Sequence, residues 1–200
     1  MNSAGNKRYF LLNKPTGMVS QFVSSHPVTL LGDLDFDFPE GTHAIGRLDR
    51  DSEGLLLLTT DKSVTRKVFL SVRPHTRSYL VMVQNTVTAQ TLKKINDGIP
   101  LTIKNGETYI AKPVSAELIN EPEKLYPYTT DPREAYPHSW LLITLTEGKF
   151  RQVRKMVLAV KHRCIRLIRL RISNIELGSI RPGEVKEIPE KLFYALLEEG

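Results

Sequence analysis

Four consecutive leucines, Leu55-Leu56-Leu57-Leu58, constrain this chain more than any other feature. The run is too short for a buried helix and shows no alternation, so it predicts a strand covered on both faces. The segment before it, Gly46-Arg47-Leu48-Asp49-Arg50-Asp51-Ser52-Glu53-Gly54, is a turn dense in opposite charges and bracketed by glycines. A loop fastened to a core strand can hold a carboxylate still, and Asp49, Asp51 and Glu53 compete for that role. A charged loop taken alone is usually a solvated turn whose charges pair locally. The rest of the chain has to decide between these readings.

Length and charge narrow the partners. With 200 residues, 40% hydrophobic and 25% charged, the chain has the composition of a soluble globular protein. It is long enough for one domain, or for two small halves sharing a sheet. No apolar run approaches the roughly 20 residues that cross a bilayer, and the polar start, Met1 to Arg8, leads straight into a strand. A cytoplasmic location is therefore expected. One cysteine, Cys164, excludes an internal disulfide and a cysteine-cluster metal site, and is expected as a packed core thiol. The net charge of +6 is unevenly spread: Lys149, Arg151, Arg154, Lys155, Lys161, Arg163, Arg166, Arg169 and Arg171 follow one another with no acid among them. Such a one-sign patch attracts phosphate, which makes nucleic acid the leading partner.

Taken in order, residues 8–13 read as a strand, and Lys14-Pro15-Thr16-Gly17 as the turn that ends it. Lys14 there either faces a phosphate or is an exposed turn lysine. Asp33, Asp35 and Asp37 alternate with apolar residues, but Phe38 and Ala44 stand where a calcium loop needs glycine and glutamate. The segment is an amphipathic connection instead. Asp61 is placed to cap a helix over about 62–70, with Val64, Val68 and Phe69 inward. Residues 77–83 form a strand with Tyr79, Val81 and Val83 on one face. Thr88 to Asp97 is a helix with Ala89, Leu92 and Ile95 as its buried stripe and Gly98 as its stop. Residues 106–119 hold two short extended pieces. The long stretch from 120 to 138, with prolines every five residues beside Tyr126, Tyr128 and Tyr136, is either functional or mobile, and its tyrosines could stack on unpaired bases. A strand over 139–146, a helix over about 151–162 on which Arg151 and Arg154 project together, a strand over 164–172 and a closing helix over 189–199 complete the reading.

The sequence lacks a glycine-rich phosphate loop, a metalloprotease helix, a nucleophile-elbow serine and a dinucleotide fingerprint. No histidine pair has metal-ligand spacing. What remains is a carboxylate loop, a strand tyrosine and an arginine-rich helix, which suit chemistry on a nucleic acid without metal or cofactor. A nucleophilic carboxylate must stay ionised in a dry cleft, and Arg154 or Arg151 is available to favour the charged form. A base extruded from folded RNA leaves a gap that a planar guanidinium can fill, and Arg47 lies two residues before Asp49.

At these residues the chain resembles a known family. Asn13-Lys14-Pro15, Gly46-Arg47-Leu48-Asp49 through Thr59, Tyr79-x-Val81, and Glu147-Gly148-Lys149-Phe150-Arg151-Gln152-Val153-Arg154-Lys155-Met156 match, in order, motifs of the RsuA/RluB/E/F-type pseudouridine synthases. Leu177-Gly178 and Pro182-Gly183-Glu184 match the closing strand and turn. Within the family, Gln21-Phe22 and Pro137-His138-Ser139-Trp140-Leu141 look most like members that modify large-subunit ribosomal RNA.

The resemblance implies an α+β catalytic domain over 1–200, with a long, mostly antiparallel mixed sheet flanked by helices and a central active-site cleft. It implies two sub-halves sharing that sheet, and no N-terminal S4 domain. The implied reaction is isomerisation of uridine to pseudouridine. Asp49 is then the catalytic carboxylate, Arg154 its ionic partner, and Tyr79 the ring against the flipped base, with a proton transfer at C2′ as a further role. Arg47 fills the vacated stack, and Lys14, Lys149, Arg151, Lys155, Lys161 and Arg163 are the expected RNA contacts. Ribosomal RNA is the expected partner, 23S or a precursor of the large subunit, with 16S rRNA and tRNA as alternatives. No cofactor, metal or membrane is expected, and the protein is expected to be a monomer. Two rival readings stand beside this one. One is a non-catalytic RNA-binding or ribosome-assembly factor. The other is a hydrolase of a glycosidic bond, which needs a second carboxylate about 5–10 Å from the first.

Overall fold

Glycine opens and leucine fills the strand on which one half of the protein is built. In the computed structural model, which describes residues 7–64, 74–102 and 106–198, the chain divides into two compact units, 1–75 with 171–200 and 76–170. In the first, β1 (Tyr9–Lys14) lies antiparallel to β3 (Glu53–Thr59), with Leu11 opposite Leu57 and Lys14 opposite Gly54. The strand β2 (His43–Ile45) also pairs with β3, and β11 (Val185–Ile188) with β1, both antiparallel. Leu55 to Leu58 are all buried, as an unbroken apolar run requires. Leu56 and Leu58 join Phe10, Leu12, Met18, Leu31 and Leu48 in one core cluster. Phe36 and Phe38 pack against it while Asp33, Asp35 and Asp37 face solvent, so the 33–38 segment is the amphipathic connection expected. The helix α3 (Glu190–Glu198) covers the end of β1 by setting Phe193 against Tyr9, ring centroids 4.7 Å apart.

Asp61 accepts hydrogen bonds from the Ser63 backbone N–H and hydroxyl, at 3.0 and 2.8 Å, and Val64 is buried. The rest of the expected helix, with Val68 and Phe69, lies outside the described residues.

In the second unit, β4 (Arg77–Gln84) pairs antiparallel with β8 (His138–Leu145), placing Tyr79 opposite Ile143. Beyond β8 lies β7 (Ser115–Ile119), and β9 (Cys164–Ile172) borders β4 on its other side. Tyr79, Val81 and Val83 share a face, as period two dictates, and form a core with Leu141, Ile143, Val153, Met156 and Val157. The last three come from α2 (Gln152–Ala159), which is shorter than its apolar periodicity suggests. Lys161 turns to a φ of 68°, and the His162 N–H closes on the Val157 carbonyl at 2.9 Å, which ends the helix.

The helix α1 (Ala89–Asp97) begins where the Thr88 side chain accepts from the Thr91 N–H and ends at Gly98, φ 109°. A Cβ at Gly98 would stand 2.6 Å from an Ile110 methyl, so glycine is required there on two grounds. Ile95 is buried and Leu92 half-buried, but Ala89 is exposed, which removes one member from the expected stripe. Among the described residues four strands escaped the sequence reading: β2, β11, β5 (Ile99–Thr102), which pairs with β6 (Thr108–Ala111), and β10 (Ile175–Glu176), paired with the end of β9. The fold class is α+β with a mostly antiparallel sheet, as expected. Among the described residues no helix is long and apolar enough to cross a membrane.

The 120–138 stretch is fastened down. Arg166, buried on β9, donates to the carbonyls of Thr129 at 2.6 Å and Tyr128 at 3.2 Å, and stands 3.7 Å from Asp131. The Arg133 guanidinium, hydrogen-bonded to Asp131, and the nearby Arg166 charge bring the Asp131 carboxyl down to about 2 against the pull of burial. Tyr126 is buried and Tyr128 half-buried, which leaves Tyr136 as the exposed ring of the three.

Candidate active site

In the first unit, the charged loop stands between two reciprocal clamps. Positive φ at Gly46 (78°) and Gly54 (98°) lets the chain turn sharply out of β2 and back into β3. The Ser20 hydroxyl donates to the Leu48 carbonyl at 2.9 Å and accepts from the Leu48 N–H at 3.0 Å. Beyond Asp49, the Gly17 N–H donates to the Arg50 carbonyl at 2.7 Å, and Arg50 Nε returns a bond to the Gly17 carbonyl at 3.0 Å. The Ser52 N–H closes the turn on the Asp49 carbonyl at 3.0 Å. Leu48 is sunk in the core and Ser52 is buried, while Asp49 between them is half-exposed. The backbone carrying Asp49 is thus fixed on both sides. Asp51 and Arg47 are exposed on the same loop.

Lys14 does not do what was expected of it. It has no solvent exposure, and its ammonium donates to the carbonyls of Pro15 and Met18, each at 2.8 Å. The expectation of an exposed or phosphate-facing lysine is therefore corrected. The turn doubles back over its own lysine, whose ammonium satisfies two of the loop's carbonyls. Lys14 instead braces residues 14–18, from which Gly17 clamps Arg50.

In the second unit, Tyr79 sits on the core face of β4, 8% exposed. Its hydroxyl is hydrogen-bonded to Arg169, whose guanidinium burial lowers its pKa, with the Arg77 charge acting in the same direction. Arg77, at the start of β4, donates to the Thr146 carbonyl at 3.4 Å, beside the 147–151 turn. On α2, Arg154 is half-buried and its Nη1 donates to Cys164 Sγ at 3.4 Å. Cys164 is partly buried against the core, as a packing thiol would be.

The basic run of the sequence divides by facing. Arg166 and Arg169 turn inward and serve the 120–138 stretch and Tyr79. Arg171 stands 3.7 Å from Glu176. Lys149, Lys161 and Arg163 are exposed, with Arg151 and Lys155 half-buried, so these five form the outward-facing remainder. Arg169 as the partner of Tyr79 is the residue that charge counting missed. The signal was present: period two on β9 puts Arg169 on the same side as Leu167, which belongs to the core containing Tyr79.

A family model described as RNA pseudouridylate synthase matches residues 8–159. The ribosomal large subunit pseudouridine synthase E of Xanthomonas axonopodis pv. citri is 36% identical over 178 residues, covering 86% of this chain and 89% of that protein. The ribosomal small subunit pseudouridine synthase A of Yersinia pestis is 33% identical over 183 residues, covering 90% and 69% respectively. Among solved structures, a pseudouridylate synthase superposes with a TM-score of 0.73 at 27% identity, over 96% of this chain and 74% of that one.

Proposed function

The chain belongs to the RNA pseudouridylate synthase family, and from that premise we propose that it isomerises a uridine of large-subunit ribosomal RNA to pseudouridine with Asp49 as nucleophile. The reaction cuts the bond between C1′ and N1, turns the base, and joins C5 to C1′. N1 gains a proton and C5 loses one, so no redox partner is needed.

Asp49 attacks within the extruded nucleotide, Arg154 is its ionic partner, and Tyr79 stands against the flipped base. Arg47, exposed two residues away, fills the gap in the stack. Lys149, Arg151, Lys155, Lys161 and Arg163 hold the RNA backbone. Such a protein works where ribosomal RNA is made, in the cytoplasm. The observation that supports Asp49 most strongly is the double clamp on its loop, since a reacting carboxylate gains from a fixed backbone. Large-subunit RNA is preferred because the relative named for that subunit is 36% identical and the one named for the small subunit 33%.

The test is tritium release from 5-tritiated 23S and 16S transcripts, and from precursor large-subunit particles. Release from large-subunit RNA alone supports the proposal. Release only from 16S transfers the activity to the small subunit, and free uracil in place of pseudouridine points to glycosidic hydrolysis instead.

A further inference from the structure

The 147–151 turn of the second unit holds its backbone in a costly conformation and presents an aromatic ring to water. Arg151 has φ 52° and ψ 32°, a left-handed conformation that L-residues other than glycine adopt at an energetic cost. Gln152, 3% exposed, holds the turn in this state. Its side-chain oxygen accepts from the Lys149 N–H at 3.0 Å, its Nε2 donates to Glu147 at 2.5 Å, and its own N–H donates to the Lys149 carbonyl at 3.1 Å. The result is that Phe150 is 74% exposed at the tip. The left-handed backbone at Arg151 works against stability, and the surrounding bonds keep it in place with Phe150 turned outward.

The ring's neighbours point to its ligand. Lys149 and Arg151 flank Phe150 in sequence, and Lys155 Nζ lies 5.7 Å from its ring centroid. Lys149 Nζ itself stands over the Tyr109 ring at 4.3 Å. A flat apolar surface rimmed by cations matches a nucleobase attached to phosphate: the ring takes the base's π-face and the cations take the backbone.

We propose that Phe150 is a stacking platform for an unpaired base of the RNA substrate, held out by the Gln152-braced turn. The inference deepens the RNA-modifying role proposed above and rests on it for the identity of the ligand. Stacking discriminates single-stranded or looped RNA from duplex, whose bases are already covered, so Phe150 favours substrates in which a nucleotide near the bound backbone is unpaired.

The sequence supplies a clean probe, because its one tryptophan, Trp140, is 4% exposed. In Phe150→Trp, the added indole is the exposed fluorophore. Its emission is expected to be quenched by a single-stranded oligoribonucleotide and left unchanged by an RNA duplex of the same length. Phe150→Leu, which keeps apolar bulk without a ring, is expected to bind the single strand about tenfold more weakly. The slope of log affinity against log salt should be unchanged, since no charge is lost. Phe150→Tyr should restore wild-type affinity. Equal affinity in Phe150→Leu, or equal quenching by strand and duplex, overturns the proposal. Tritium release by the wild-type protein is measured in parallel. Its absence would count against the catalytic reading alone, because the stacking result is read from binding.

Discussion

Replacing Lys14 with methionine separates a structural lysine from an RNA contact. The substitution keeps the unbranched stem and deletes the ammonium, whose bonds to the Pro15 and Met18 carbonyls are each 2.8 Å long. Hydrogen bonds made by a charged group contribute roughly 1.5–3 kcal/mol each. Against their loss stands relief from desolvating a buried ammonium, a cost of several kcal/mol that offsets part of the total. We expect a net destabilisation of about 2 kcal/mol, which for a chain of this size lowers Tm by roughly 4–8 °C. Because the turn that Lys14 braces also clamps Arg50, tritium release should slow as well. Thermal unfolding followed by circular dichroism gives the first quantity. The salt dependence of RNA binding gives the control: a lysine on a phosphate carries about one unit of slope, whereas a buried one carries none. An unchanged Tm together with a slope reduced by about one would refute the reasoning, because it would put the amine on the RNA.

Three further perturbations follow from the same geometry. The Asp131 carboxyl sits at about 2 rather than 3.8, so the unfolded chain takes up its proton first as the pH falls. The stability it contributes is complete above about pH 4 and is lost towards pH 2; its size is about 1–2 kcal/mol once the solvent exposure of Arg133 is discounted. Urea titrations at pH 6 and pH 2 should show Asp131→Asn losing less stability over that range than the wild type; an equal loss would contradict the ion-pair account. Lys161→Gln combined with Arg163→Gln should leave Tm unchanged and reduce the salt slope of RNA binding by roughly 1.5, and an unchanged slope would remove both from the footprint. Arg169→Lys should lower kcat at least about tenfold with RNA affinity retained, since the guanidinium that orients the Tyr79 hydroxyl is lost; an unaffected kcat would reduce Arg169 to a packing residue.

Strands that announce themselves by composition were legible in advance. The Leu55 to Leu58 run and the aromatic, β-branched stretches around Tyr79 and Trp140 leave few alternatives to a buried strand. The Asp49 loop was equally legible, because glycines bracket it and a core strand follows. Its rigidity was not, because the clamps come from Ser20 and Gly17, some 30 residues earlier, and nothing local in the sequence links them to Leu48 and Arg50. The basic run misled in part for a related reason. Charge can be counted along a chain, but whether a strand arginine points to solvent depends on its register, and Arg166 and Arg169 both point inward. Lys14 shows the same limit at a turn, where only the folded path of the loop brings the Pro15 and Met18 carbonyls to its ammonium. Short strands such as Ile99–Thr102, with a proline in the middle, escape propensity because only their hairpin partner makes them extended.

The most direct test of the central claim compares wild-type protein with Asp49→Asn on 5-tritiated large-subunit RNA, reading tritium release, RNA affinity and Tm in one series. The account predicts that release is abolished while RNA affinity is retained and the protein stays folded, because Ser20 and Gly17 hold the backbone on either side of Asp49. Continued release by Asp49→Asn would contradict it, and would move the nucleophile to another residue.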